Sequence, residues 1–202
     1  MGKISKKDVI LERALKHFSH NGYELTSLEN ISKECGITKP AIYYHFKDKA
    51  TLYQTVVCSQ FSKLADDIEK NTKSGEIEER LYMYIKTFGK FLISNPTFNA
   101  IFAREIASGG HSLSKKCSKL LSRTLLRLID ILDEGKKQEI FEDENPFMIQ
   151  MMIVSTLTSY NTTKPLREKI ALAVKNKIEP PDVDFQNIIE SLSKKIIKGL
   201  KC

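Results

Sequence analysis

The 202-residue chain has no tryptophan, nine glycines, six prolines and four cysteines. Glycine and proline this sparse exclude collagen-like and low-complexity classes. Cys35, Cys58, Cys117 and Cys202 lie far apart, with no C-x-x-C pair. That spacing argues against a disulfide framework or a zinc site and reads as reduced thiols. Long apolar runs are missing too. The richest, 147–157, is broken by Gln150 and Ser155, well short of the roughly 18 residues of a membrane span. The first residues, Gly2 to Asp8, are polar and supply no signal-peptide core. These absences lead to the expectation of a cytoplasmic protein with no membrane partner.

Catalytic motifs are absent as well. The chain has no G-x-G-x-x-G, G-x-x-x-x-G-K-[ST], H-E-x-x-H or G-x-S-x-G. His17 and His20 stand three apart on an expected helix, yet no carboxylate or cysteine completes a metal set. Gly109-Gly110-His111 reads as a loop, since no strand precedes it. No metal, cofactor or enzymatic activity is expected.

What the chain does have is helical periodicity. Apolar residues recur at i, i+3 and i+4 almost everywhere, and alternating β-branched runs do not occur, so the fold class is all-α. A first helix is expected over 5–21, with Ile10, Leu11, Ala14, Leu15 and Phe18 inward, ending at Asn21-Gly22. Thr26-Ser27-Leu28-Glu29 reads as a capping box opening a short second helix. That helix stops at Gly36, and Thr38 then caps a two-turn third helix, 39–46, in which Pro40 is tolerable in the first turn. Asp48 caps a fourth helix, 49–72. Longer helices follow over 76–94, 96–108, 112–137 and 146–161, then a shorter segment over 166–178, and a stiff spacer, 179–181, precedes a last helix capped by Asp182 or Asp184.

Two short helices joined by a glycine turn form a helix-turn-helix pattern. In such a unit the second helix lays its first turn against base edges, while helix N-termini and cations hold phosphates. Thr38, Lys39, Pro40 and Ala41 fit that exposed turn, and Tyr43, Tyr44 and His45 have donors for phosphate or bases. Ile42 and Phe46 anchor the helix to the core.

The run Gly22-Tyr23…Thr26-Ser27-Leu28…Cys35-Gly36-Ile37…Ala41-Ile42-Tyr43-Tyr44-His45-Phe46…Lys49 resembles the N-terminal domain of TetR-family transcriptional regulators. The resemblance covers about the first 55 residues. It implies a helix-turn-helix domain over 1–50 and a helical effector-binding and dimerisation domain over 51–202. It further implies a homodimeric repressor that binds double-stranded operator DNA and is released by a small-molecule effector. Thr26, with Ser27 beside it, and Lys49 would grip phosphates at two helix N-termini. Tyr43, Tyr44 and His45 would line the backbone, and Thr38, Lys39 and Ala41 would face bases. Pro40 stands where the family commonly has Gly or Ala. Lys3, Lys6 and Lys7 would form a basic arm, or else a solvated tail, and one of Tyr43 and Tyr44 has a second reading as a packing residue.

Under the same resemblance, an effector pocket would be lined by Phe88, Phe91, Phe98, Phe102, Met148, Met151 and Met152, with Tyr84, Arg104, Glu105 or His111 as polar handles. The dimer would form through Met151, Met152, Ser155 and Leu157 together with Phe185, Ile188, Ile189, Leu192 and Ile196. Plain core is the alternative for both sets. The net charge is +7, with 32 Lys and Arg against 25 Asp and Glu, and +3 of it lies in residues 1–50. A second source is 111–129, where Lys115, Lys116, Lys119, Arg123 and Arg127 occur with no acid. It reads as a solvated face or as a site for an anionic effector. Two rivals remain: a redox sensor on the same scaffold using Cys58 or Cys117, and a helical enzyme acting on the ligand.

Overall fold

A computed structural model describes residues 5–174 and 184–201. Lys3, the 179–181 spacer, Asp182 and Cys202 lie outside the described residues. Among the described residues there are ten helices: α1 Lys6–Leu25, α2 Leu28–Glu34, α3 Lys39–His45, α4 Lys49–Asn71, α5 Ile77–Ser94, α6 Pro96–Ala107, α7 Lys115–Lys137, α8 Pro146–Thr162, α9 Lys164–Ala173 and α10 Phe185–Leu200. The only extended pairing among those residues is an isolated antiparallel bridge between Phe141 and Lys201. The all-α expectation is met.

Helix ends follow side-chain chemistry. Ser5 Oγ accepts from the Asp8 N–H at 3.1 Å and opens α1. Gly22, at φ 73°, interrupts α1 where the sequence predicts its end, and one more turn carries the helix to Leu25. The cap of α2 is Ser27, whose Oγ accepts from the Asn30 N–H at 3.1 Å. The expected capping box on Thr26 does not form: Thr26 is buried, and Glu29 pairs with Lys33 instead. Asp48 caps α4 by accepting from the Thr51 N–H at 2.6 Å, which holds its carboxyl below the usual range.

The chain packs as two compact units. The first comprises residues 1–63 and 95–120, the second 64–94 and 121–202. The boundary expected after residue 50 falls inside the first unit. In that unit Ile10, Ala14 and Phe18 of α1 join Ile31, Ile42 and Leu52 in a core, and α6 packs on α1. Phe98 and Phe102 stack on each other, and both meet the ring of Phe61 edge-on at 5.5 Å. The unit also holds a disulfide between Cys58 of α4 and Cys117 of α7, with Cα atoms 4.8 Å apart. This corrects the expectation of dispersed thiols. Fifty-nine residues separate the two in sequence, and only packing brings them together. Cys35 is the free thiol among the described residues.

In the second unit α5 packs against α8 and α10. Gly89 permits this closeness, since a methyl there would lie 2.6 Å from Ile189 Cδ1. Phe185, Ile189 and Ile196 are therefore buried within their own protomer, a correction to their expected place in a dimer interface. Packing of the stripe against α5 is the reason, and Ile188 and Leu192 stay partly exposed beside it. Arg80 is buried; its Nη1 donates to Glu134 Oε2 at 2.6 Å and its Nε to the Thr72 carbonyl at 3.2 Å.

Candidate nucleic-acid interface

The helix α3 is held by a single apolar stripe, Ile42 and then Phe46 just past its end, both buried. Everything else on it is left to solvent or its border. Thr38, Lys39 and Pro40 are exposed, and Ala41 and His45 are half-buried. Tyr43 is 47% exposed and Tyr44 is 86% exposed. A tyrosine that open has no packing role in the protomer, which removes the packing alternative for Tyr44. The ring of Tyr44 stands edge-on to His45 at 5.1 Å. Thr38 occupies the N-cap position, yet its hydroxyl makes no capping bond. The hydroxyl is thus left open at the start of α3, where Pro40 brings no N–H and that of Ala41 donates to the Thr38 carbonyl at 3.0 Å.

Two residues expected at this face have other work. Thr26 is 2% exposed, and its hydroxyl donates to the carbonyls of Gly22 at 2.6 Å and His17 at 3.1 Å. Its side chain closes the end of α1, and Ser27 beside it is the exposed hydroxyl. Lys49 donates from Nζ to the carbonyls of Tyr23, Glu24 and Thr26, at 2.9, 3.2 and 3.2 Å, and sits 4.5 Å above the Tyr23 ring. It satisfies the orphan carbonyls at the C-terminus of α1, where a cation is favoured. Lys49→Met should therefore cost the fold about 2 kcal/mol and weaken binding to every DNA sequence alike. A urea melt superimposable on the wild type would refute this.

Other contacts brace the helix-turn-helix. Arg13 Nη1 and His17 Nε2 both meet the Glu34 carboxylate, at 3.2 and 2.7 Å. Arg104 of α6 donates to the carbonyls of Phe18, Ser19 and His20. It ties α6 to α1. Next to it Glu105 is buried and accepts from the Tyr53 hydroxyl. Burial first, and then that carboxylate, push the Tyr53 hydroxyl well above its ordinary range. A cavity of about 380 Å³ lies beside these groups, lined among others by Phe18, Tyr23, Tyr53, Arg104 and Glu105. Tyr53 and Gln54 carry much of this bracing, and sequence reasoning missed both, because polar residues on an amphipathic helix look alike until their partners are known.

The other residues expected in the pocket fall into separate places. Phe98 and Phe102 belong to the first unit's core, and His111 is exposed. In the second unit Tyr84, Phe88 and Phe91 are buried, and the Tyr84 hydroxyl donates to Gln150 Oε1 at 2.7 Å. Met148, Met151 and Met152 are exposed in the protomer and line no interior there, because the inward face of α8 is formed by Ile149, Ile153 and Leu157. The basic helix is largely spoken for. Arg123 holds Glu69 and Asp66 at 2.6 to 2.8 Å, and Arg127 donates to Thr72. Both guanidinium groups are thus engaged within the protomer. Among the described residues no His, Cys, Asp and Glu cluster suits a metal, and no helix is long and apolar enough to cross a membrane.

Charge divides unevenly between the units. The first holds 14 Lys and Arg against seven Asp and Glu, and the second 18 against 18. The whole excess of +7 therefore sits with α3. Segment 111–129 looks basic in sequence, but its Arg123 meets acids of α4 and its Arg127 meets Thr72 just past the end of that helix, while Lys115, Lys116 and Lys119 belong to the first unit.

Comparison with known proteins agrees with this geometry. Residues 10–56 match the family model for bacterial regulatory proteins of the tetR family. Residues 55–178 match the model for the C-terminal region of YsiA-like proteins. The chain is 28% identical over 138 residues to IcaR of Staphylococcus aureus, described as an HTH-type negative transcriptional regulator of the biofilm operon icaADBC; the match covers 60% of this chain and 73% of that one. Among solved structures, the fatty acid degradation regulator FadR of Bacillus halodurans aligns with a TM-score of 0.73 at 19% identity, over 98% of this chain and 97% of that one. FadR of Bacillus subtilis in complex with stearoyl-CoA aligns with a TM-score of 0.75 at 21% identity, over 95% and 98%.

Proposed function

Because the chain belongs to the tetR family of bacterial regulatory proteins, we propose that it is a homodimeric repressor that occludes a palindromic operator and leaves it when a small molecule binds. One observation carries the DNA reading: a short helix, open along Thr38, Lys39, Pro40, Tyr43 and Tyr44, in the unit that holds the entire charge excess. Lys39, Thr38 and Ala41 would read bases, while Ser27, Tyr43, Tyr44 and His45 would hold phosphates. Residues 1–50 would serve as the DNA-binding part and 51–202 as the effector-binding and dimerisation part. The molecule acts by binding, and no step of catalysis is needed.

Two copies would meet through α8 and its surroundings. Phe147, Met148, Met151 and Met152 are exposed on that helix beside Ser155, with Met151 at 66%. Apolar side chains grouped on a protomer's surface mark a contact face, and Ile188 and Leu192 would join it from α10. Release follows if effector binding favours a spacing of the two α3 helices that no longer matches half-sites one helical turn apart. Acyl-CoA is the first effector class to try, since FadR of Bacillus subtilis is described in complex with stearoyl-CoA.

The test is selection of duplexes from random sequence by the purified full chain, followed by anisotropy titration at several salt concentrations. The expected result is a two-fold symmetric site bound by a dimer, with affinity falling steeply as salt rises. Selection of no symmetric site would sink the reading.

A further inference from the structure

The DNA reading makes no use of the disulfide of the first unit. We propose that Cys58 and Cys117 form a reversible oxidation site through which peroxide-class oxidants change the protein's hold on DNA. This rests on the operator-binding reading above and adds the regulation of that site.

Cys58 lies nine residues beyond Lys49, the residue that opens α4 and ties it to the end of α1. Three residues separate α4 from the end of α3. Cys117 lies in the first turn of α7. Both cysteines belong to the unit that contains α3. Their Cα separation of 4.8 Å is within the range a disulfide spans without backbone movement. The bond therefore joins the helix that follows α3 to the start of α7.

The same junction is held without the bond. Gln54, one turn before Cys58, donates from Nε2 to the Ser112 carbonyl, and its Oε1 accepts from the Ser114 N–H at 2.9 Å. Cys117 Sγ lies 3.2 Å from that Oε1. A reduced Cys117 thiol thus has an acceptor waiting, and its burial is tolerable in either redox state. The reduced junction is a set of hydrogen bonds that can open and re-form. The oxidised junction is covalent and fixes α4 against α7. A ligand or a DNA site that needs the two helices to shift meets a different cost in the two forms.

Cys58 is 7% exposed and Cys117 fully buried, so Cys58 is the thiol a small oxidant reaches first. Its thiolate attacks one oxygen of hydrogen peroxide, the O–O bond breaks, and the departing hydroxide takes up the proton the thiol released, giving water and a sulfenic acid. The Cys117 sulfur then attacks the Cys58 sulfur and the S–O bond breaks. The leaving hydroxide takes the Cys117 proton and departs as a second water. Two thiols lose two electrons to one peroxide. A dithiol reductant reverses the change by two exchange steps.

The experiment uses the full chain, purified in a dithiol reductant and divided in two. One half stays reduced; the other is treated with hydrogen peroxide and quenched. Mass-tagging of thiols should fall from four to two, with a peptide joining the segments around residues 58 and 117. The probe is the duplex selected by the reduced protein. We expect its Kd to differ at least tenfold between the two halves and to return to the starting value on adding dithiol. Cys58→Ser with Cys117→Ser should abolish the difference. Equal Kd values, within twofold, in a sample whose two thiols have been consumed would overturn the proposal, as would a pair that peroxide leaves reduced. Failure of the reduced protein to select any duplex would instead overturn the operator reading on which the proposal rests. The two wild-type halves are compared directly, so the outcome does not depend on the variant folding.

Discussion

Reducing the Cys58–Cys117 bond should lower the unfolding free energy by roughly 4 kcal/mol, a fall in Tm on the order of 10 °C. The size follows from the 59-residue separation: a long closed loop removes much of the unfolded chain's freedom, and opening it returns that freedom. The sign is fixed by the same argument, since the bond restricts the unfolded state more than the packed one. Denaturant melts with and without dithiol measure it, and Cys58→Ser with Cys117→Ser should follow the reduced curve in both. A shift under 1 kcal/mol would mean that Gln54 and the surrounding core already hold the junction closed in the unfolded ensemble's compact states.

Lys39→Ala with Tyr44→Ala should weaken operator binding by roughly a hundredfold, at one to three kcal/mol for a base or phosphate contact. Stability should hardly move. Both side chains are exposed, Tyr44 by 86%, and surface substitutions without a packing or capping role change stability by only about 0.5 kcal/mol. This separates the pair from Lys49, whose removal loosens the end of α1 and would reduce binding by way of the fold. Lys39→Ala alone should alter preference among duplexes, and Tyr44→Ala alone should lower affinity across all of them. Unchanged affinity in the double variant, with a footprint retained, would remove α3 from the interface.

The helix-turn-helix was legible because its signals are local. A glycine turn, a proline in a first turn, an Asp cap and two apolar anchors four apart each act within a few residues, and α2, α3 and the start of α4 follow them. Even there a neighbour took the part assigned to Thr26, since the hydroxyl of Ser27 faced the open N–H groups and that of Thr26 the carbonyls of α1. Helical periodicity says which residues share a face and leaves open what that face meets. The α10 stripe met Gly89 and its helix in the same protomer. Arg123 of α7 met Asp66 and Glu69, whose own position in sequence gives no hint of it. Cys58 and Cys117 stood out as candidate redox residues, but their bond to each other did not, as pairing over 59 residues is a product of packing.

The division of charge between the units has a consequence for kinetics. With +7 in one unit and none in the other, the long-range pull of a duplex acts through the first unit. Raising salt should therefore slow association more than it speeds departure, because screening weakens that long-range attraction before it touches the contacts made at close range.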